Sequence, residues 1–243
     1  MTLARFHLAE AGPGGRVSLP EWSAHHAREV LRLRAGDLIR VFDGRGAEFE
    51  ATLDRVTRAE VHARIGPAVS PRPESPLRIT LALSPLKGDR MELAIQKATE
   101  LGVAAVRPVI TIRTDAAARP ALKGSRQDRW DKVASGAAEQ CGRAVVPDVA
   151  PTVPLDRLVA EPFEGQRVLL LETEGQPPLD SLFDEAPRDL LLLVGPAGGF
   201  EPAEVDMLRG NGFRPAALGP RILRSETAAV AAVAIAQAVW GDL

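Results

Sequence analysis

The chain of 243 residues carries a single cysteine, Cys141. An internal disulfide framework is therefore excluded, and a reducing, cytoplasmic setting is the natural expectation. Lysine is scarce, four of the thirty basic residues, so arginine carries the positive charge. Its planar fork suits phosphates and stacks on bases. Long apolar runs are missing as well. The longest, Ala228–Ala236, is mostly alanine and far short of the roughly twenty residues that span a bilayer. The opening MTLARFHLAE has no apolar stretch of the signal-peptide kind. Neither a G-x-x-x-x-G-K-[ST] loop nor a G-x-G-x-x-G loop occurs, which disfavours the familiar phosphate cradles. His25 and His26 are joined only by His7 and His62, with the one cysteine far away, so no metal site is predicted.

What charge there is lies unevenly. The net value is −2, but residues 1–72 carry +2, residues 73–150 carry +3 and residues 151–243 carry −7. A basic first part is the distribution expected of an RNA partner. A break falls at Gly66–Pro76, where four prolines in eleven residues forbid continuous helix or central strand. A boundary there gives domains of residues 1–72 and 73–243. The first shows short alternating stretches, Leu38–Phe42, Glu48–Leu53 and Glu60–Ile65, and a helical pattern over Trp22–Leu33.

The second part alternates strands and helices. Strands are predicted at Arg78–Leu83, Val103–Ile110, Arg167–Leu171, Leu190–Val194 and Pro215–Leu218. Helices are predicted at Asp89–Leu101, Arg126–Cys141, near Leu179–Phe183, at Pro202–Arg209 and at Glu226–Trp240. That order argues an α/β domain around a parallel sheet, with RVLLLE and DLLLLVG reading as strands covered on both faces.

In such sheets ligands bind beyond the carboxyl ends of the strands. Three ends stand out: Glu172-Thr173-Glu174-Gly175, VGPAGGF (Val194–Phe200) and LGPRILRSETA (Leu218–Ala228). Glycines allow close backbone approach and positive φ, although a tight packing turn would look the same. In the last segment Ser225 or Thr227 would serve as helix caps and Glu226 suits a first turn. Arg224 does not fit that account, because a cation is disfavoured at a helix N-terminus unless something anionic sits there.

Several segments in order carry a resemblance: Arg5-Phe6, HHAREVLRLRAGD (His25–Asp37), VFDGRG (Val41–Gly46), KGDRMELAIQKATELGV (Lys87–Val103), RPVITIRT (Arg107–Thr114), AAEQCGRAVVP (Ala137–Pro147) and the two C-terminal loops. Together they resemble the RsmE-type 16S ribosomal RNA uridine N3-methyltransferases of the SPOUT class. The match departs at Ala197, where the family's loop has glutamate. The resemblance implies a PUA-like β-barrel followed by an α/β methyltransferase domain with a C-terminal trefoil knot. It also implies a homodimer through the knot region and S-adenosylmethionine as cofactor. Cofactor contacts then fall to Leu171, Glu172, Gly195, Pro196, Gly198, Gly199, Leu218, Gly219, Ile222, Leu223 and Thr227. Arg224 would stabilise charge on the base, with Glu226 the weaker candidate for general base. Arg28, Arg32, Arg34, Lys87, Arg90, Arg113 and Arg143 would contact 16S RNA of the small subunit. A non-catalytic assembly factor of the same fold, or a SPOUT enzyme with another RNA target, are the competing expectations.

Overall fold

A computed structural model describes residues 3–116 and 126–243. They fall into two compact units, Met1–Glu74 with Ser135–Val146, and Ser75–Ala134 with Pro147–Leu243.

The first unit is a five-stranded sheet in the order β1-β3-β4-β5-β2. Its strands are β1 (Arg5–His7), β2 (Arg16–Ser18), β3 (Leu38–Phe42), β4 (Glu48–Val56) and β5 (Val61–Val69). Alternating side chains of β3, β4 and β5 (Ile39, Val41, Ala51, Leu53, Ala63, Ile65) form its core with Phe6. Two sequence expectations change here. The break expected from Gly66 is crossed, since β5 runs through Gly66-Pro67 to Val69. Its register against β4 shifts between Phe49↔Ala68 and Ala51↔Ile65, and β2 pairs only as far as Arg64. Pro67, lacking an N–H, thus sits at a bulge with only one neighbouring strand, where a missing donor costs little. The helix expected over Trp22–Leu33 is short: α1 (Glu21–His25) widens into a π-helical turn, His26–Val30. Arg32 takes φ 55° and the Leu33 N–H closes onto the Ala27 carbonyl, which ends the helix while keeping Ala27 buried.

The second unit is a parallel sheet ordered β12-β10-β11-β6-β7-β8, with β9 also on β7. The strands are β6 (Arg78–Leu83), β7 (Ala105–Ile110), β8 (Asp148–Val149), β9 (Val153–Pro154), β10 (Gln166–Leu170), β11 (Asp189–Val194) and β12 (Phe213–Ala216). Its neighbouring strands run parallel to one another. Five consecutive residues of β11, Leu190–Val194, are buried, because both faces of the sheet are covered. Helix α2 (Arg90–Glu100) buries Met91, Ala94, Ile95 and Ala98, the helical spacing legible in the sequence, and Gly102 at φ 85° terminates it. Helices α3 (Gln127–Cys141), α4 (Leu155–Ala160) and α5 (Pro202–Gly210) follow, with a 3-10 turn at Leu179–Ser181. The last helix, α6 (Ser225–Trp240), packs Ala229, Ala232, Val233 and Ala236 inward and lies on α2, β6 and β11. Its small residues permit that close approach. The short β1, β2, β8, β9 and α4 carry too few residues to show a period, and the sequence did not announce them. No helix among the described residues is long and apolar enough to cross a membrane.

The end of α3 belongs to the first unit, where Ala138 packs with Phe42, Ala144 and Val146. Arg5 holds it there. Its guanidinium forks onto Glu48 at 3.1 Å, donates to the carbonyls of Ala138 (3.1 Å) and Arg143 (3.2 Å), and lies 4.8 Å over the Phe42 ring. A cation satisfying the last carbonyls of a helix suits both its orphan acceptors and its dipole.

Candidate active site

The sheet of the second unit directs its carboxyl ends to one cleft of about 940 Å³. Strand β10 is bordered by β11 on one side and β12 on the other, so the loops that leave these three strands converge. The loop after β10 contributes Leu171 and Glu172, and the loop after β11 contributes Gly195, Pro196, Gly198 and Gly199. The loop after β12 contributes Leu218, Gly219, Ile222 and Leu223. Arg224 and Glu226 stand at the start of α6 on the same wall. Thr227 is exposed and lies outside the lining. Lys87, Arg90 and Arg113 reach the cleft from the ends of β6 and β7 and the start of α2.

Each loop has a local reason for its path. A Cβ on Gly195 would meet the Phe200 ring at 2.7 Å, so only glycine lets the chain leave β11 beside that buried ring. Gly199 holds φ 69°, a left-handed turn closed by its N–H on the Pro196 carbonyl at 2.9 Å. Glu201 then caps α5 in a reciprocal box with Glu204, and Pro202 takes the first helical position. Arg113 donates to Glu201 Oε1 (2.9 Å) and to the Gly198 carbonyl (2.8 Å). The hydrogen bond from Arg113 holds the Glu201 carboxyl below its ordinary pKa and raises that of Arg113 in return.

The charges are arranged unevenly. Arg224 is the N-cap of α6 in extended conformation, exposed, with no ion pair among the described residues. The capping expected from Ser225 or Thr227 is not formed: the helix start has no side-chain cap, and Ser225 is buried. Glu226 is 12% exposed and lies 3.6 Å from Arg90 Nε. Lys87 pairs with Asp115 at 2.7 Å. Ala197 leaves its own loop without a carboxylate, but Glu172 reaches across from the neighbouring strand. Its Oε1 lies 3.5 Å from where a Cβ on Gly199 would stand.

Of the remaining arginines, Arg32 and Arg34 are exposed on the first unit and Arg28 is half-buried. Arg143, also in the first unit, is buried and forks onto Glu74 (Nε–Oε2 3.0 Å). Sequence reasoning missed Arg209, Asp206 and Val205 of α5, which complete one wall of the cleft. It also missed Glu201 and Glu204 as a pair, although an acid, a proline and a second acid in E-P-x-E spacing is a capping signature.

Leu171, Ile222 and Leu223 give the cleft apolar side chains, and the glycine loops bring backbone groups to it. Adjacent cations suit a reaction in which negative charge develops. Residues 73–237 match the RNA methyltransferase domain family, and residues 22–66 match the RNA methyltransferase PUA domain family. The ribosomal RNA small subunit methyltransferase E of Synechocystis sp. is 34% identical over 224 residues, covering 90% of this chain and 71% of the relative. That of Bacillus subtilis is 32% identical, covering 84% and 82%. Among solved structures, the Neisseria gonorrhoeae ribosomal RNA small subunit methyltransferase E bound to S-adenosyl methionine superposes with a TM-score of 0.88 at 35% identity, covering 99% of both chains. A Legionella pneumophila protein in complex with SAM gives 0.92 at 36%, covering all of both chains.

Proposed function

Since the chain belongs to the RNA methyltransferase family, as a relative of the ribosomal RNA small subunit methyltransferases E, we propose that it methylates N3 of one uridine in 16S RNA of the small subunit, using S-adenosylmethionine. The observation that carries this reading is the convergence of three strand-end loops on one cleft with Arg224 at its rim. The residues fit the cofactor: leucines to sandwich adenine, glycine-rich backbone to meet its edge, and Glu172 as negative charge near a sulfonium. When bound, that group supplies an electrophilic methyl.

The chain's own residues then have a defined task. Uridine N3 carries a proton at neutral pH and lies on the pairing edge, so the base must be unpaired or flipped out. Once the N3 proton leaves, negative charge spreads over N3 and the two uracil oxygens; it is neutralised as N3 takes the methyl and the methyl's bond to sulfur breaks. Arg224 stabilises that charge at the oxygens, an oxyanion-type role. Glu226, the weaker candidate for proton acceptor, is held beside Arg90 and sets that guanidinium at the cleft edge. Arg28, Arg32 and Arg34 on residues 1–72, with Lys87 and Arg90, guide the RNA backbone. In this reading residues 73–243 carry the methyltransferase domain, with Ser135–Val146 joining the first unit.

The same reading includes a trefoil knot, supported by β12 lying across β10 from β11 and by α6 returning to α2 and β6. It includes a homodimer, supported by exposed Leu93 and Val239 on the packed pair α2 and α6, and a cytoplasmic location beside the ribosome. The test is calorimetric titration with S-adenosylmethionine, then mass-spectrometric mapping after reaction with small subunits from cells lacking the gene. Cofactor binding and one new N3-methyluridine are expected. Absence of cofactor binding points to an assembly factor, and methylation elsewhere to a different target.

A further inference from the structure

Arg113 stands among the cations expected to meet RNA, yet its guanidinium is turned onto the protein. Nε donates to Glu201 Oε1 at 2.9 Å and Nη1 to the Gly198 carbonyl at 2.8 Å. Beside it, the Ile112 N–H donates to Glu204 Oε1 at 2.8 Å, and Glu204 Oε2 accepts the Glu201 N–H at 2.9 Å. Glu204 is 6% exposed, so both oxygens of a buried carboxylate are spent on backbone donors. The end of β7 and the β11–α5 loop are thereby tied at two points, one at Gly198 and one at the start of α5.

We propose that Arg113 is a positioning residue for the cofactor loop, fixing the Gly198–Gly199 peptide for S-adenosylmethionine, and that it is not an RNA contact. This rests on the cofactor reading above. Two consecutive glycines leave the peptide between them free to rotate. The bond from Arg113 fixes its carbonyl, and with it the Gly199 N–H that closes on Pro196. A loop ordered beforehand loses less freedom when ligand binds, so affinity rises. The Arg113–Glu201 pair is exposed, 43% and 36% by side chain, and pairs of that kind stabilise folding little. The pair's effect is thus expected in ligand affinity and hardly at all in melting temperature. Arginine is required because one planar fork must reach a carboxylate and a carbonyl at once, which a lysine ammonium does not reproduce.

The experiment measures S-adenosylmethionine affinity by calorimetry for the wild type, Arg113→Ala, Arg113→Lys, Glu201→Gln and the double variant Arg113→Ala/Glu201→Gln. Affinity for small-subunit RNA at fixed salt, KM for the cofactor, kcat and melting temperature accompany it. Loss of an exposed pair and its carbonyl bond corresponds to roughly threefold to tenfold weaker cofactor binding. Arg113→Ala and Glu201→Gln are each expected to fall in that direction, with the double variant no worse than Arg113→Ala alone. KM should rise while kcat at saturation and RNA affinity hold, and Arg113→Lys should recover little. Unchanged cofactor affinity with weakened RNA binding, or full rescue by lysine, overturns the inference. Strictly additive losses in the double variant overturn it too. If the wild type binds no cofactor, the functional reading itself fails instead.

Discussion

At Gly195 the absence of a side chain is a packing requirement. A methyl there would stand 2.7 Å from the Phe200 ring, itself 9% exposed, so Gly195→Ala must push the ring off its seat. Overpacking of that kind costs about 1–3 kcal/mol, and a lowered denaturation midpoint with weakened cofactor binding is expected. Arg224 has the opposite character: exposed at the cleft rim, it contributes little to folding. Arg224→Ala should therefore leave the melting temperature and cofactor affinity intact while lowering kcat by roughly a hundredfold to a thousandfold. Wild-type turnover would remove it from the chemistry. Glu139 makes a third case. Burial pushes its carboxyl up to about 7, against the lowering effects of the His7 N–H bond and of Arg5. The native state thus holds a proton that the unfolded chain releases near 4.5. Stability from this group is full below 4.5 and is lost as pH rises through about 7. Burial lowers the His7 imidazole, which slopes the other way, losing stability as pH falls through 6.5. Comparison with Glu139→Gln isolates the first: relative to wild type, the variant should gain roughly 2–3 kcal/mol between pH 4 and 8 in denaturant titrations.

At the scale of elements, the C-terminus of α3 depends on one side chain. Arg5 and Glu48 are both about nine-tenths buried, and removing the arginine strands a carboxylate as well as two helix carbonyls. Loss of one partner of such a pair costs about 3–5 kcal/mol. Arg5→Ala should destabilise by that amount, and amides at the end of α3 should exchange hydrogen faster than those of β11. Elements also differ in how plainly the sequence shows them. DLLLLV and the Met91/Ala94/Ile95/Ala98 spacing were legible, since burial on two faces or on one helical stripe leaves a periodic trace. The bulge that carries β5 past Pro67 was not, because it depends on which residues of β4 stand opposite. The π-helical turn before Arg32 was not either, since a lone non-glycine residue at positive φ is imposed by its surroundings.

For the whole molecule, the two units are not two consecutive pieces of chain. Ser135–Val146 completes the first unit and covers Phe42 through Ala138, Ala144 and Val146. An isolated fragment of residues 1–72 lacks that cover and the acceptors of Arg5. It should melt at lower temperature and with less cooperativity than the same residues in the full chain, as followed by circular dichroism and hydrogen exchange. A fragment as stable as the full chain would show that the distant segment adds nothing.

The alternating α/β order, the polarised charge, the glycine-rich strand ends and their family likeness are legible before folding, because each is written in residue type and local spacing. Twelve of the thirteen catalytic and cofactor candidates named from the sequence lie along one cleft once the chain is folded, and Thr227 lies outside it. Only tertiary structure decided which loops meet, that Arg143 is spent on Glu74, and that Arg113 faces Gly198 and Glu201. Those outcomes join residues some seventy to ninety positions apart. No local period records such a pairing; it arises when the sheet order brings distant strand ends side by side.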